Sequence, residues 1–310
     1  MTAVERIAPG GTRARPSFYF RTMVEPYLYL SPAILLIALV MLVPLVIGIS
    51  YAFQAVNLLR PFDTGWVGLA NFRALWADNK FWLALTNTFW WTLGSIVFQF
   101  FLGLGLALIL NTQFYGKRLV QALVFLPWAV PTFLSALTWA WLFNPTIGPL
   151  PHWLAALGVL SEPFNILGGS EPCHVGTDHG QCLVRCPVFF AITLLAALQS
   201  IPGELYEAAE IDGATAWQMF TKITLPFLAP MIAITVMLRT IWIANFADLI
   251  FVMTGGGPAN STQILSTYIF TTAFRRLDFG YASAIAVALL GVLLLYAMIL
   301  LVLRRKLVRI

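Results

Sequence analysis

Charge is scarce in this chain of 310 residues: only 10% are Asp, Glu, Lys or Arg, while 60% are hydrophobic. An ordinary soluble domain carries roughly 25% charged residues, so the shortage excludes a water-soluble globular enzyme. It does not signal disorder, because 24 Phe and 11 Trp bring too much apolar surface to stay solvated. Cysteine is nearly absent: all three lie between Cys173 and Cys186, which is not a disulfide framework. No G-x-x-x-x-G-K-S/T occurs, so the chain does not cradle ATP by that loop. His152, His174 and His179 lack a carboxylate–nucleophile partner at motif spacing and read as residues of mobile loops. No catalytic residue is expected. The net charge of +5 is dispersed along the flanks of apolar runs, the signature of the positive-inside bias rather than of a nucleic-acid partner.

What is present is long apolar sequence, with a mean hydropathy of +0.84. Crossing ~30 Å of hydrocarbon takes about 20 residues of helix, and five runs qualify: Leu28–Phe53, Phe89–Leu110, Leu119–Phe143, Leu228–Met253 and Tyr281–Leu303. The first is too long for a signal-peptide core and is expected to be retained. Pro44, Pro127 and Pro131 fall inside these runs and predict kinks. With the N-terminus inside, the cytoplasmic pieces hold Arg6, Arg13, Arg15, Arg21, Lys117, Arg118, Lys222, Arg304, Arg305, Lys306 and Arg309. That bias puts both termini in the cytoplasm and requires a sixth crossing, between Asn144 and Pro202. The expected architecture is all-α, with a cytoplasmic segment over residues 1–27 and six spans over residues 28–310. The expected location is the inner (plasma) membrane, with lipid as a surrounding partner.

The polar segment from Gln199 to Ala214 faces the cytoplasm in this topology. Ser200 is expected to cap a helix, Pro202 to suit its first turn, and Glu204, Glu207 and Glu210 to favour its positive end. Leu205, Ala208 and Ala209 offer a small apolar surface, and Gly213 stops the helix. A second amphipathic stretch then runs through Trp217, Phe220 and Ile223. Two short helices of this kind form a knob suited to a groove on another protein. A solvated hairpin joining two spans is the plain alternative.

Glu207-Ala208-Ala209, three residues, Gly213, nine residues, then Ile223-Thr224-Leu225-Pro226 resembles the EAA signature of bacterial ABC-importer permeases. Val67-Gly68-Leu69-Ala70-Asn71-Phe72, Asn87-Thr88, Phe125-Leu126-Pro127-Trp128, Trp141 to Pro145, Thr254-Gly255-Gly256-Gly257-Pro258 and Asp278 to Ala282 extend the likeness over most of the chain. They match the MalF-like half of carbohydrate importers. The resemblance implies the type I (MetI-like) permease fold and half of a translocation pathway for a sugar, with a disaccharide such as trehalose as the first expectation. It implies a second permease subunit, two ATP-binding subunits that carry ATP and Mg, and an extracytoplasmic sugar-binding protein. No cofactor is bound by this chain itself. The loop over residues 200–226 becomes the coupling element, with Glu204, Glu207, Ala208, Ala209, Asp212 and Gly213 meeting the ATPase.

Within the Leu228–Met253 run, the expected fifth crossing, Thr235, Arg239, Trp242, Asn245 and Asp248 recur at steps of three or four, one stripe on a helix. A mid-bilayer charge costs at least ~2.5 kcal/mol unless it faces protein or water, so the stripe should face the pathway or a partner subunit. Trp242 supplies a ring face and Asn245 and Asp248 polar groups for sugar hydroxyls. Asn245 and Asp248 fit a substrate role and a structural one equally. Arg239 reads as structural, pairing with a carboxylate across the bundle. Trp90, Trp91, Trp139 and Trp141 read as interfacial aromatics. An ion- or proton-coupled transporter is the alternative of a different class; Asp248 is its one clear intramembrane carboxylate, which counts against it.

Residues 168–187, where the family resemblance calls for an apolar half-span, hold Cys173, His174, His179, Cys182, Arg185 and Cys186 instead. Their spacing matches no familiar zinc pattern, and no metal is expected. As written, the sequence leaves Leu183–Leu198, about 24 Å of helix, for the fourth span, with thiol or disulfide chemistry open on its outer side. Codons permitted for Ser170–Pro187, read one base later, give the stop-free apolar string RNLAMWGPITANVWFGVP. A pair of compensating frameshifts, real or introduced in the sequence record, is therefore the expected origin of the segment. Reading the coding DNA should return that string at a single-base offset; its absence there rules the explanation out.

Overall fold

The structure, a computed structural model, describes residues 16–159 and 187–307. Cys173, Cys182, Cys186, His174, His179 and the whole 168–186 anomaly lie outside or at the edge of that range. Contacts divide the chain into two compact units, Met1–Ser50 and Tyr51–Ile310.

The first unit holds α1 (Pro16–Ile37), a π-helical turn (Ala38–Leu42) and the start of α2 (Val43–Tyr51). Pro44 has no N–H to offer the carbonyl four residues back, and the wider π turn just before it absorbs the misfit. The apolar run expected at Leu28–Phe53 is thus helical but for its last two residues.

In the second unit a two-residue antiparallel ladder, β1 (Gln54–Ala55) with β2 (Gly65–Trp66), leads to α3 (Ala70–Trp76). Then comes α4 (Asn79–Asn111), 33 residues without proline. Asp78 caps it, one carboxylate oxygen accepting from the Lys80 N–H at 2.9 Å. The other oxygen accepts from the hydroxyls of Tyr268 (2.5 Å) and Tyr281 (2.8 Å).

The run expected at Leu119–Phe143 is broken rather than kinked. α5 (Lys117–Phe125) and a 3-10 turn (Leu126–Ala129) meet α6 (Thr132–Leu142) at 87°. Pro127 and Pro131 each remove a backbone donor in consecutive turns, and extended Val130 and Pro131 reset the direction. α7 (Pro149–Ala156) follows and carries His152, a helical residue rather than a loop one.

α8 (Pro187–Leu198), in the segment where the fourth crossing is expected, has 12 residues, about 18 Å at 1.5 Å per residue. It packs along α4, the two helices sharing one buried cluster. A Cβ on Gly103 would clash with the Phe190 Cβ and lie 2.8 Å from the Pro187 carbonyl oxygen, so only glycine fits there.

After α9 (Glu204–Ile211), α10 (Ala216–Met219) runs through a π turn (Phe220–Thr224) into α11 (Leu225–Ala244). The second amphipathic stretch is therefore the first turns of the span itself, one helical stretch over Ala216–Ala244. α11 stops at Ala244, well short of Met253; Asn245 and Phe246 break it before α12 (Ala247–Met253). α13 (Leu265–Phe274) and α14 (Phe279–Leu307) close the unit.

Among the described residues, four helical stretches are long and apolar enough to cross a membrane and the bent pair makes a fifth; α8 is too short alone. Three buried clusters hold the second unit together. Leu104, Ala107 and Leu110 of α4 meet Phe190, Leu194 and Leu198 of α8, with Ile201 and Leu228. Trp91 of α4 packs with Ala136, Ile243, Leu249, Ile250 and Ile264. Leu75, Phe81, Ala84, Leu265, Tyr268, Ile285 and Leu289 form the third. Trp91, 8% exposed, is thus a core residue, whereas its neighbour Trp90 is exposed.

The Asp78 carboxylate ties the start of α4 to α13 and α14. Burial pushes its pKa up, but hydrogen bonds from Tyr268 and Tyr281 and from the Lys80 N–H outweigh it, with the Arg276 charge adding to them, and the net direction is down. Burial, then the Asp78 hydrogen bond, pushes the Tyr268 hydroxyl up to about 12, so it stays a donor at neutral pH. A carboxyl held lower when folded than its ordinary value of ~3.9 stabilises above that value and loses the contribution as pH falls through the folded pKa. Asp78→Asn should therefore cost about 1 kcal/mol at pH 7. The gap between its unfolding midpoint in detergent and that of the unaltered protein should start to narrow as pH falls below about 4 and go on narrowing with further acidification; a gap that does not change with acidification contradicts the assignment.

Candidate functional site

Two regions bear the residues singled out above. The first is the knob at the head of α9. Ser200, expected to cap it, instead donates its hydroxyl back to the Ala197 carbonyl at 2.7 Å. Its backbone N–H and that of Ile201 also bond into the last turn of α8, so Ser200 belongs to the preceding helix and stands too early to cap. Gly203 takes the N-cap position without a side-chain bond, and Glu204 and Glu207 fall in the first turn, where the helix dipole favours negative charge.

The end of α9 is sharply defined. The Gly213 N–H bonds the Glu210 carbonyl and the Ala214 N–H bonds the Ala209 carbonyl, the two bonds of a Schellman cap. Gly213 has φ +74°, which a residue with a Cβ rarely adopts, and Asp212 is the C-cap. Thr215 and Gln218 then form a reciprocal capping box, starting the next helix.

Glu204, Glu207, Ala208, Asp212 and Gly213 are exposed, and Ala209 is half-buried. Around them stand apolar side chains that nothing among the described residues covers: Ile211 is 87% exposed and Trp217 70%. The inner side is firmly footed. The Tyr206 hydroxyl lies 2.8 Å from the Thr224 hydroxyl, and Tyr206, Phe220 and Ile223 pack against the Leu104–Leu198–Leu228 cluster. The knob is thus an acidic, apolar-tipped projection on a packed base.

The second region is the stripe on α11. Because α11 ends at Ala244, its five residues do not share one helix face. Thr235 and Arg239 are buried, while Trp242, Asn245 and Asp248 are exposed. Arg239, 8% exposed, donates its Nε–H to the Gln99 amide oxygen of α4 at 2.8 Å. Its guanidinium carbon sits 5.8 Å from the centre of the Phe189 ring. Phe189 in turn lies 5.2 Å from the Trp242 ring. Asn245 caps α11, donates to the Ile241 carbonyl at 2.8 Å, and edges an otherwise apolar groove of about 250 Å³ lined by Ile241, Ile269 and Leu289. Asp248 falls in the first turn of α12. Trp242 and Asn245 thus stand near one another at the end of α11, and Asp248 is set apart across the break.

Gln99 and Phe189 escaped the sequence reading. Gln99 carried a signal, a long polar side chain inside an apolar run; Phe189 carried none, since one more aromatic in an apolar segment is unremarkable until its neighbours are known. Among the described residues no three His, Cys, Asp or Glu side chains gather as a metal site would require.

The profile of the family described as binding-protein-dependent transport system inner membrane component matches residues 180–309. A probable ABC transporter permease of Brucella suis is 38% identical over 277 residues, covering 88% of this chain and 94% of that protein. The trehalose/maltose transport permease MalF of Thermococcus litoralis is 38% identical over 228 residues, covering 74% and 75%. A crystal structure of a bacterial alginate ABC transporter in complex with an alginate pentasaccharide-bound periplasmic protein contains a chain that superposes with a TM-score of 0.78 at 26% identity, covering 92% of this chain and 96% of that one. Profile, relatives and fold agree: the chain belongs to the sugar-transporting binding-protein-dependent ABC-importer permeases, multi-pass membrane subunits whose ATPase resides on a separate chain.

Proposed function

We propose that this permease supplies one half of a heteromeric pathway, with residues 28–310 as its six-span domain and both termini in the cytoplasm. The α9 knob takes the stroke of two partner ATPases, a second permease completes the path, and a binding protein delivers sugar at the opposite side. The observation that carries this is the knob: acidic and apolar side chains exposed together on a Schellman-capped helix footed in the core. Glu204, Glu207, Ala208, Asp212 and Gly213 meet the ATPase, and Ala209 seats the helix. Closure of the ATPases on ATP then displaces the knob, and the spans tilt between inward-open and outward-open states.

Trp242 offers a ring to a pyranose face, and Asn245 and Asp248 offer hydroxyl partners on either side of the α11–α12 break. Trehalose is the proposed cargo, by likeness to a trehalose/maltose permease. Relatives that carry alginate show how widely the fold accommodates sugars, so the substrate lies in side chains rather than in the architecture.

Purification from detergent tests the coupling role. Glu207→Lys reverses a charge at the tip, and Gly213→Pro forbids φ +74°. Each should reduce co-purified ATPase at least about tenfold, or ~1.4 kcal/mol of attachment; undiminished co-purification sinks it. In the reconstituted complex, trehalose with the binding protein should raise ATP hydrolysis more than maltose does. A larger response to maltose reassigns the cargo.

A further inference from the structure

Among the described residues, α4 is pinned at three levels of the second unit. At the knob end, Leu104, Ala107 and Leu110 belong to the cluster on which Tyr206, Phe220 and Ile223 rest. Midway, Gln99 accepts from Arg239. At the far end, Asn87 is 9% exposed and aims its amide nitrogen at three carbonyl oxygens of one loop: Ser261 (2.9 Å), Gln263 (3.0 Å) and Asn260 (3.4 Å). Thr88, next to it, accepts the Leu265 N–H at 2.9 Å and donates to the Ala84 carbonyl at 2.6 Å. Those links satisfy the backbone of the segment that joins α12 to α13. Asn87 and Ala107 are 20 residues apart, about 30 Å along an α-helix, the thickness of a bilayer core. Helix α11, the other long element footed in the knob cluster, contains Pro230 and is preceded by a π turn, whereas α4 is a single α-helix with no proline.

We infer that α4 transmits displacement of the knob to the α12–α13 loop, and that Asn87, seconded by Thr88, is the positioning residue that makes the loop follow. Stiffness and grip both argue for it. An unbroken helix moves as a rod, and an amide facing three carbonyls in a site shielded from water is costly to detach, because the carbonyls would be left unpaired. The loop is the direct continuation of α12, which carries Asp248, so its movement reshapes the far end of the proposed pathway. This rests on the coupling role of the knob.

Hydrogen exchange read by mass spectrometry, on the complete complex with its ATPases, separates the two ideas, using ATP with vanadate as the probe. In the unaltered complex, nucleotide should change deuterium uptake in peptides covering residues 204–213 and also 255–265. Asn87→Asp keeps the shape but turns donors into an acceptor facing carbonyls. It should leave the change at 204–213 intact and shrink that at 255–265 at least threefold, and Asn87→Gln should recover part of it. A merely structural role would raise exchange equally with and without nucleotide and leave the difference standing, which overturns the inference. So does an unaltered complex that responds at 204–213 but not at 255–265. No response at 204–213 sinks the coupling reading itself, and the inference with it. Should Asn87→Asp fail to accumulate, Thr88→Val, which removes the Leu265 link alone, is held to the same criterion with a smaller loss.

Discussion

Lipid takes away the force that assembles soluble proteins. Between two helices already surrounded by hydrocarbon, burying leucine against leucine gains packing but little transfer energy, so polar contacts and close backbone approach must set which helix lies where. In this protein both are concentrated on α4. Gly103 admits α8 to within backbone distance, Gln99 fixes Arg239 of α11, Asn87 and Thr88 hold the loop before α13, and Asp78 receives tyrosines from α13 and α14. Each would be expensive to leave unmade in a water-poor interior, and together they specify neighbours that apolar surfaces alone would leave degenerate.

The same economy explains where helices break. Proline interrupts the α5–α6 stretch and softens the entry of α1 into α2, and neighbouring backbone adapts by 3-10 and π turns. The break between α11 and α12 has no proline. Asn245 ends the helix there by bonding its own side chain to the Ile241 carbonyl, local competition of the kind Asn offers a helix. Such breaks are tolerated at membrane depth where they are buried or line a path, and this one separates Trp242 from Asp248, two residues proposed to meet cargo.

The knob follows from opposite physics. It stands outside the apolar bundle, is built from capping geometry, and leaves Ile211 and Trp217 uncovered. A helix of eight residues would not hold alone in water; Tyr206 and the core cluster beneath it supply what its length cannot. Its exposed surface and its packed footing are thus one design, the footing holding in place a projection that its length alone would not keep folded.

The sequence alone was enough for the class of protein, its apolar runs, the knob and the role of Gly213, because hydropathy, charge bias and capping chemistry are local properties of consecutive residues. It also marked Asn87 and Thr88, though only as part of a family pattern. It misjudged Ser200, whose residue type suits a cap but whose hydroxyl bonds back into α8, Trp91, whose residue type suits an interface but which is buried, and the five-residue stripe, whose periodicity assumed a helix continuous past Ala244. Where α11 ends, that Trp91 points into a core, that Gln99 meets Arg239 across 140 positions and that Asp78 gathers two tyrosines some 200 residues away were decided only by the tertiary structure. A polar group in an apolar run announces that it needs a partner, but which one it finds depends on how the helices pack.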